Sequence, residues 1–112
     1  MKTLEGITVL DLSRVLAGPY CGMMLADNGA NVIKIEPPEV GDDSRAFGPF
    51  VGKESAYFMS LNRNKRSITL NFKRQEEIEV FKELVMKADV VLENYRPGTM
   101  EKFGIGYDVL KK

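Results

Sequence analysis

The sequence predicts an α/β fold built on a parallel sheet, and three observations predict it. Residues 7–12 and 31–35 are short apolar runs rich in β-branched side chains, with a helix-patterned stretch between them. Such a β-α-β unit places its two strands parallel, joined by a right-handed crossover. A third run, residues 89–93, directly follows the clearest helical pattern of the chain, residues 75–88, so the alternation of strand and helix continues. In open α/β sheets ligands bind beyond the carboxyl ends of the strands, which directs attention to the segments just past the strand ends.

Each element has a local reason. Residues 18–28 read as a helix: Pro19 suits the first helical position, where its missing N–H would be unpaired anyway. Cys21, Met24 and Leu25, spaced by three and four, predict its core-facing stripe. Asn28 and Gly29 end it, the glycine being free to take a left-handed conformation. Residues 36–54 hold Pro37, Pro38, Gly41, Gly48, Pro49 and Gly52 and predict a long irregular loop, a kind usually functional or disordered. Residues 55–62 predict a short helix with Ser55 as its N-cap. In residues 67–72 Ile68, Leu70 and Phe72 alternate with Ser67, Thr69 and Asn71, the pattern of a half-buried strand near a sheet edge. The helix over residues 75–88 carries Ile78, Phe81, Leu84, Val85 and Ala88 as its stripe, with Glu76 and Glu77 at its start and Lys87 near its end, as the helix dipole favours. Residues 99–103 predict one helical turn, and residues 107–112 the start of another helix, with Asp108 in its first turn. The chain ends inside that pattern, so the expectation is a single domain over residues 1–112 that forms the first part of something larger.

Composition narrows the function. Lys and Arg number 16, as do Asp and Glu, so the formal net charge is zero; nonspecific nucleic-acid binding needs a basic surplus or a clear basic face. No apolar run approaches the roughly 20 residues of a membrane span. The N-terminal residues lack the apolar core of a secretory signal, and the lone Cys21 excludes an internal disulfide, so a cytoplasmic location is expected. Histidine, the commonest general base and metal ligand, is absent.

Three segments could carry chemistry. The loop after the first strand, Ser13 to Gly18, stands where a dinucleotide fold would show Gly-x-Gly-x-x-Gly, and Glu36 stands where a ribose-binding acid is expected; an acid without the glycines is weak evidence for NAD. On residue type alone Ser13 is a loop residue and Arg14 a solvated charge. Arg63, Lys65 and Arg66, with Lys73 and Arg74 beyond the next strand, are either phosphate ligands or a solvated basic turn. Asn94 and Tyr95 follow a strand's carboxyl end; an amide can both donate and accept, as adenine recognition requires, and a phenol ring can stack on a base or pack on the core. Cys21 has no histidine partner and reads as a core residue. Asp42, Asp43 and Glu54 have no metal-ligand spacing and read as solvent-exposed.

Taken together, residues 4–12, 14–19, 29–38, 41–45, 61–68, 88–98 and 103–107 resemble the family III CoA-transferases, a group that includes formyl-CoA transferase, carnitine-type CoA-transferases and α-methylacyl-CoA racemase. Several segments in the right order and spacing make this far more specific than any one motif. The resemblance implies a Rossmann-like parallel sheet with flanking helices, the N-terminal part of a larger interlocked-dimer fold. It implies coenzyme A as the acyl carrier, with no metal, and a carboxylic acid as the second substrate. It carries the CoA contacts onto Arg14, Val15, Leu16 and Ala17, onto Leu70 and Lys73, onto Asn94 and Tyr95, and onto Lys102. Pro37 replaces an arginine that often follows the second strand's acid, which leaves Arg45 as the cation able to take over a phosphate contact. Leu16 stands where formyl-CoA transferase carries a glutamine near the acyl end, a departure that puts formyl-CoA and oxalate specificity in doubt. The family's nucleophilic aspartate aligns with none of Asp11, Asp27, Asp42, Asp43, Asp89 or Asp108 and is expected beyond this chain. Three readings follow: the CoA-binding part of a transferase, the same part of an acyl-CoA racemase, or a CoA-binding or assembly module without chemistry of its own. In each, a homo-oligomer or a partner chain would supply the rest.

Overall fold

A computed structural model of the chain describes residues 2–111. The elements run β1 (Thr8–Asp11), α1 (Ala17–Asp27), β2 (Asn31–Glu36), a 3-10 turn (Asp43–Ala46), β3 (Phe50–Val51), β4 (Glu54–Ser55), α2 (Ala56–Leu61), β5 (Arg66–Thr69), α3 (Gln75–Met86), β6 (Val90–Leu92), α4 (Thr99–Lys102) and α5 (Tyr107–Leu110). The main sheet has the order β5-β2-β1-β6, and every pairing in it is parallel. The fold is therefore the α/β parallel sheet that the alternation predicts. As expected, β5 is an edge strand, and its exposed Arg66, Ser67 and Thr69 suit that position. Among the described residues no helix is long and apolar enough to cross a membrane.

Side chains alternate along the strands, so the two faces of the sheet differ. Leu10 and Leu12 of the β1 segment and Ile35 of β2 join Leu70, Ile78 and Phe81 in the larger apolar cluster, on the α3 side. Phe81 is fully buried, and its ring meets Phe72 edge-on at 5.2 Å between centroids. On the α1 side, Val9 and Val32 pack with Ala26 and Ala30. Further along the same side the strands carry Asp11, Lys34 and Glu36, all buried.

Of the stripe that the spacing predicts for helix α1, only Leu25 packs on the core. Cys21 is exposed and Met24 half exposed, while Gly18, Pro19, Gly22, Met23 and Ala26 face inward. The reason lies beneath the helix: a Cβ on Gly22 would stand 2.7 Å from the Asp11 carboxylate and 3.2 Å from the Lys65 ammonium. Only a small residue lets α1 lie on that pair. The helix ends as read, with Asn28 at its C-cap and Gly29 at φ +104°.

Residues 36–54 are not structureless. They hold the 3-10 turn and the β3–β4 hairpin, in which Phe50 pairs with Ser55 and Val51 with Glu54. Asp42 organises the turn: buried, not solvated, it caps it by accepting from the Ser44 N–H at 2.8 Å. Ser55 caps α2 as expected, accepting from the Phe58 N–H at 3.1 Å. The strand expected over residues 67–72 ends at Thr69, although the Leu70 N–H still reaches the Glu36 carbonyl at 3.0 Å. The helical turns expected near residues 99 and 107 are α4 and α5; Lys112 lies outside the described residues.

Candidate functional site

Four loops meet at the carboxyl ends of the parallel strands, and the one after β1 is the most heavily tied. Ser13 gives both its N–H and its hydroxyl to Asp11. The Asn94 amide clasps the backbone of Arg14, accepting its N–H at 2.9 Å and donating to its carbonyl at 2.8 Å. Val15 sits at φ +69°, a left-handed conformation that costs a β-branched residue about 1–3 kcal/mol. Its N–H points at the Asp42 carboxylate, 3.1 Å from Oδ1. Leu16 is 53% exposed at the N-cap of α1, and Ala17 opens the helix.

A cleft of about 160 Å³ lies beside this loop, with Arg14, Leu70, Lys73 and Tyr95 in its walls. So the structure brings together four predicted residues from three distant stretches of chain. The Arg14 guanidinium lies 5.2 Å from the centre of the Tyr95 ring and 3.5 Å from the Asp43 carboxylate. Burial pushes the Tyr95 phenol above its usual range, so it stays neutral and able to donate. Lys73 is exposed at the rim, and Leu70 is buried in the wall. Lys102 is exposed on α4, next in sequence to Phe103 of the cleft, but does not line it. Asn94 is exposed and gives one donor and one acceptor of its amide to the Arg14 backbone.

Arg45 lines an adjoining hollow of about 260 Å³ on the other side of Glu36 and Pro37. Its Nε and Nη2 each reach a Glu36 oxygen at 2.9 Å, and its Cζ lies 3.8 Å from the centre of the Phe58 ring. The Glu36 hydrogen bonds hold the guanidinium firmly charged. Glu36 in turn is buried and paired, so it is not free to take a ribose hydroxyl. A larger hollow, about 390 Å³, lies elsewhere, near Val85, Val91 and Leu110, and none of the predicted site residues lines it.

The basic turn before β5 is solvated at Arg63 and Arg66 and buried at the Lys65 side chain. Arg63 forks onto Asp27 of α1, with a closest approach of 2.7 Å. The Lys65 side chain is buried, and its ammonium gives hydrogen bonds to Asp11 at 2.8 Å, the Pro19 carbonyl at 3.1 Å and the Asn62 amide oxygen at 2.8 Å. Burial draws its pKa below the usual lysine value, with Asp11 opposing. A second buried pair stands beside it: Lys34 reaches Asp42 at 2.9 Å and the Ser13 carbonyl at 3.0 Å. For Asp42, burial acts to raise the pKa, but the Ser44 N–H and Lys34 outweigh it and hold the carboxyl below its ordinary value. Composition hides these pairs. The available signal was a single charge inside each apolar strand, Asp11 between Leu10 and Leu12 and Lys34 between Ile33 and Ile35. Among the described residues there is no cluster of three or more His, Cys, Asp or Glu side chains placed to hold a metal ion.

An open parallel sheet with its polar loops gathered at the carboxyl ends of the strands is a Rossmann-like arrangement, the class in which ligands bind at that end. Residues 4–112 match the model of CoA-transferase family III, and the chain belongs to that family. It is 52% identical, over all of its length, to 26% of the mouse (Mus musculus) succinyl-CoA:glutarate CoA-transferase. It is 50% identical, over 96% of its length, to 28% of the acetyl-CoA:oxalate CoA-transferase of Acetobacter aceti. The crystal structure of a CAIB/BAIF family protein from Brucella suis superposes with a TM-score of 0.91 at 47% identity, over 98% of this chain and 30% of that one. The chain thus spans about a quarter of the length of these curated relatives.

Proposed function

We propose that this chain is the CoA-binding part of an acyl-CoA:carboxylate CoA-transferase. The observation that carries the reading is the cleft at the carboxyl ends of the strands, where Arg14 and Lys73 flank Tyr95 and Leu70. Two cations suit the phosphates of CoA, and the ring and the apolar wall suit its adenine or pantetheine arm. In this reading Leu16 and Ala17, exposed at the start of α1, and Lys102, exposed on α4, add further contacts, with Val15 and Asn94 beside them in the same loops; Arg45, in the adjoining hollow, is the cation available to an outlying phosphate. In the complete reaction an aspartate carboxylate beyond this chain attacks the thioester carbonyl and expels CoA thiolate, leaving an acyl-aspartyl anhydride. The thiolate attacks the aspartyl carbonyl, releases the first acid and forms an aspartyl-CoA thioester. The second acid reverses both steps and leaves as its CoA thioester. Splitting the transfer in this way replaces one difficult step with easier ones. Relatives of nearly equal identity are named for glutarate and for oxalate, which supports assigning to this quarter the end of the site that such reactions share, the CoA end.

Calorimetric titration of the chain with CoA tests this. Binding is expected, and Arg14→Ala and Lys73→Ala should each weaken it about tenfold, as loss of a charged hydrogen bond does. A cooperatively folded chain that takes up no CoA, or takes it up equally well in both variants, overturns the reading.

A further inference from the structure

Asp42 makes more of the crevice than its position in a glycine- and proline-rich stretch suggests. Its side chain is 1% exposed, so it touches no ligand, and the Lys34 side chain that aims it is 2% exposed. Its Oδ1 accepts from three donors: the Ser44 N–H and hydroxyl, both at 2.8 Å, and the Val15 N–H at 3.1 Å. Its Oδ2 faces the Lys34 ammonium at 2.9 Å. Among the described residues Val15 is the one β-branched residue of three non-glycine residues at positive φ, and a side chain of that shape leaves the left-handed region unless something holds it there. The two residues on either side of it are exposed, Arg14 in the wall of the cleft and Leu16 at the start of α1. Asn94 holds the Arg14 backbone, so a rotation at Val15 would turn Leu16 and the start of α1 out of place relative to Arg14.

We propose that Asp42 is the positioning residue of this site: its carboxylate, aimed by Lys34, holds Val15 in its left-handed conformation and so presets the Arg14–Leu16 edge for CoA. The proposal rests on the CoA-binding reading above. It separates two functions of one buried carboxylate, the ion pair with Lys34 and the bond to Val15. Two double variants of the chain tell them apart. Both remove the ion pair: Lys34→Met with Asp42→Asn keeps an acceptor for the Val15 N–H, and Lys34→Met with Asp42→Leu does not. Asn and Leu have nearly the same shape, so the variants differ in one acceptor oxygen, which serves the Val15 N–H and the Ser44 N–H and hydroxyl; a Ser44→Ala variant removes the hydroxyl bond alone.

Cooperative urea transitions first establish that each variant is folded. CoA titration of the folded chains is then expected to give an affinity within about twofold of the parent for the Asn pair. For the Leu pair a loss of about tenfold is expected, equal to about 1.4 kcal/mol. Amide hydrogen exchange supplies a readout that needs no ligand: Val15 should exchange slowly in the parent and the Asn pair and fast in the Leu pair, while Leu10 and Val32 stay protected in all three. Equal CoA affinity and equal Val15 protection in the two variants would overturn the positioning role. If the parent binds no CoA, the functional reading fails by itself, and Val15 exchange still decides whether Asp42 holds the loop. If the Leu pair does not fold, single Asp42→Asn and Ser44→Ala variants take its place. The positioning role then requires that Val15 protection survive in both, since both leave Val15 its acceptor; its loss in either sinks the proposal.

Discussion

On the α3 side of the sheet, Leu10 and Ile35 meet Phe81 and Ile78; on the α1 side, the neighbouring residues Asp11 and Lys34 of the same strands meet Lys65 and Asp42. The two strands thus put hydrocarbon on one face and paired charge on the other, a single position apart. Burying apolar area is directly stabilising. Burying an ion pair is close to neutral against an apolar replacement, because desolvation offsets the attraction. The charged layer is therefore poorly explained by stability, and its placement under the loops of the crevice gives it another use. It fixes where Ser13, Val15 and the residues around Pro19 sit.

That contrast can be broken by substitution. Lys65→Met leaves the Asp11 carboxylate buried without its partner and should cost about 3–5 kcal/mol in urea unfolding. Phe81→Ala opens a cavity on the opposite face and should cost a similar amount, about 3–5 kcal/mol. A second substitution then separates the faces. Asp11→Leu added to Lys65→Met should recover most of the lost stability while the Ser13 amide, deprived of its acceptor, loses protection from exchange. If stability does not return, the ionic face is a stabilising element like the apolar one, and the contrast drawn here is wrong.

A smaller effect comes from Gly22→Ala, which pushes a methyl group toward the Asp11–Lys65 pair and should cost about 1–3 kcal/mol by overpacking. The same change at an outward position of α1, Cys21→Ala, should be nearly silent. Acid sharpens the comparison further. The folded-state pKa of Asp42 lies below its ordinary value of 3.8, so its contribution is complete above that value and is lost as pH falls through the folded-state value. The urea midpoint should decline there, and Asp42→Asn should remove that part of the decline. Smallest of all, Arg63→Ala breaks an exposed pair and should leave the melting temperature unchanged within error.

Much of the fold was legible because periodicity reports burial. The β1 and β2 runs, the stripe of α3 and the Ser55 cap are local signals and appear where expected. The inward face of α1 was not legible, because its small residues are there to clear a charge pair contributed by β1 and by the turn before β5. Residues 36–54 looked irregular because Asp42, which orders them, finds its partners on β2 and in the β1 loop. At the site, Arg14, Leu70, Lys73 and Tyr95 could be named from the family resemblance and meet in one cleft. The carboxylates beneath them could not, since a charge in a sequence does not say which charge it will face.

The pairing register gives the charged layer a further consequence. Asp11 stands opposite Lys34, and Leu10 opposite Ile33. A slip of one residue turns every side chain of a strand to the other face. For β1 that would drive a carboxylate into the Phe81 cluster and strand an ammonium on the far side. Misaligned forms of this sheet are thus rejected by uncompensated charge, an error signal sharper than the loss of a few methyl contacts between apolar strands that would otherwise slide past one another.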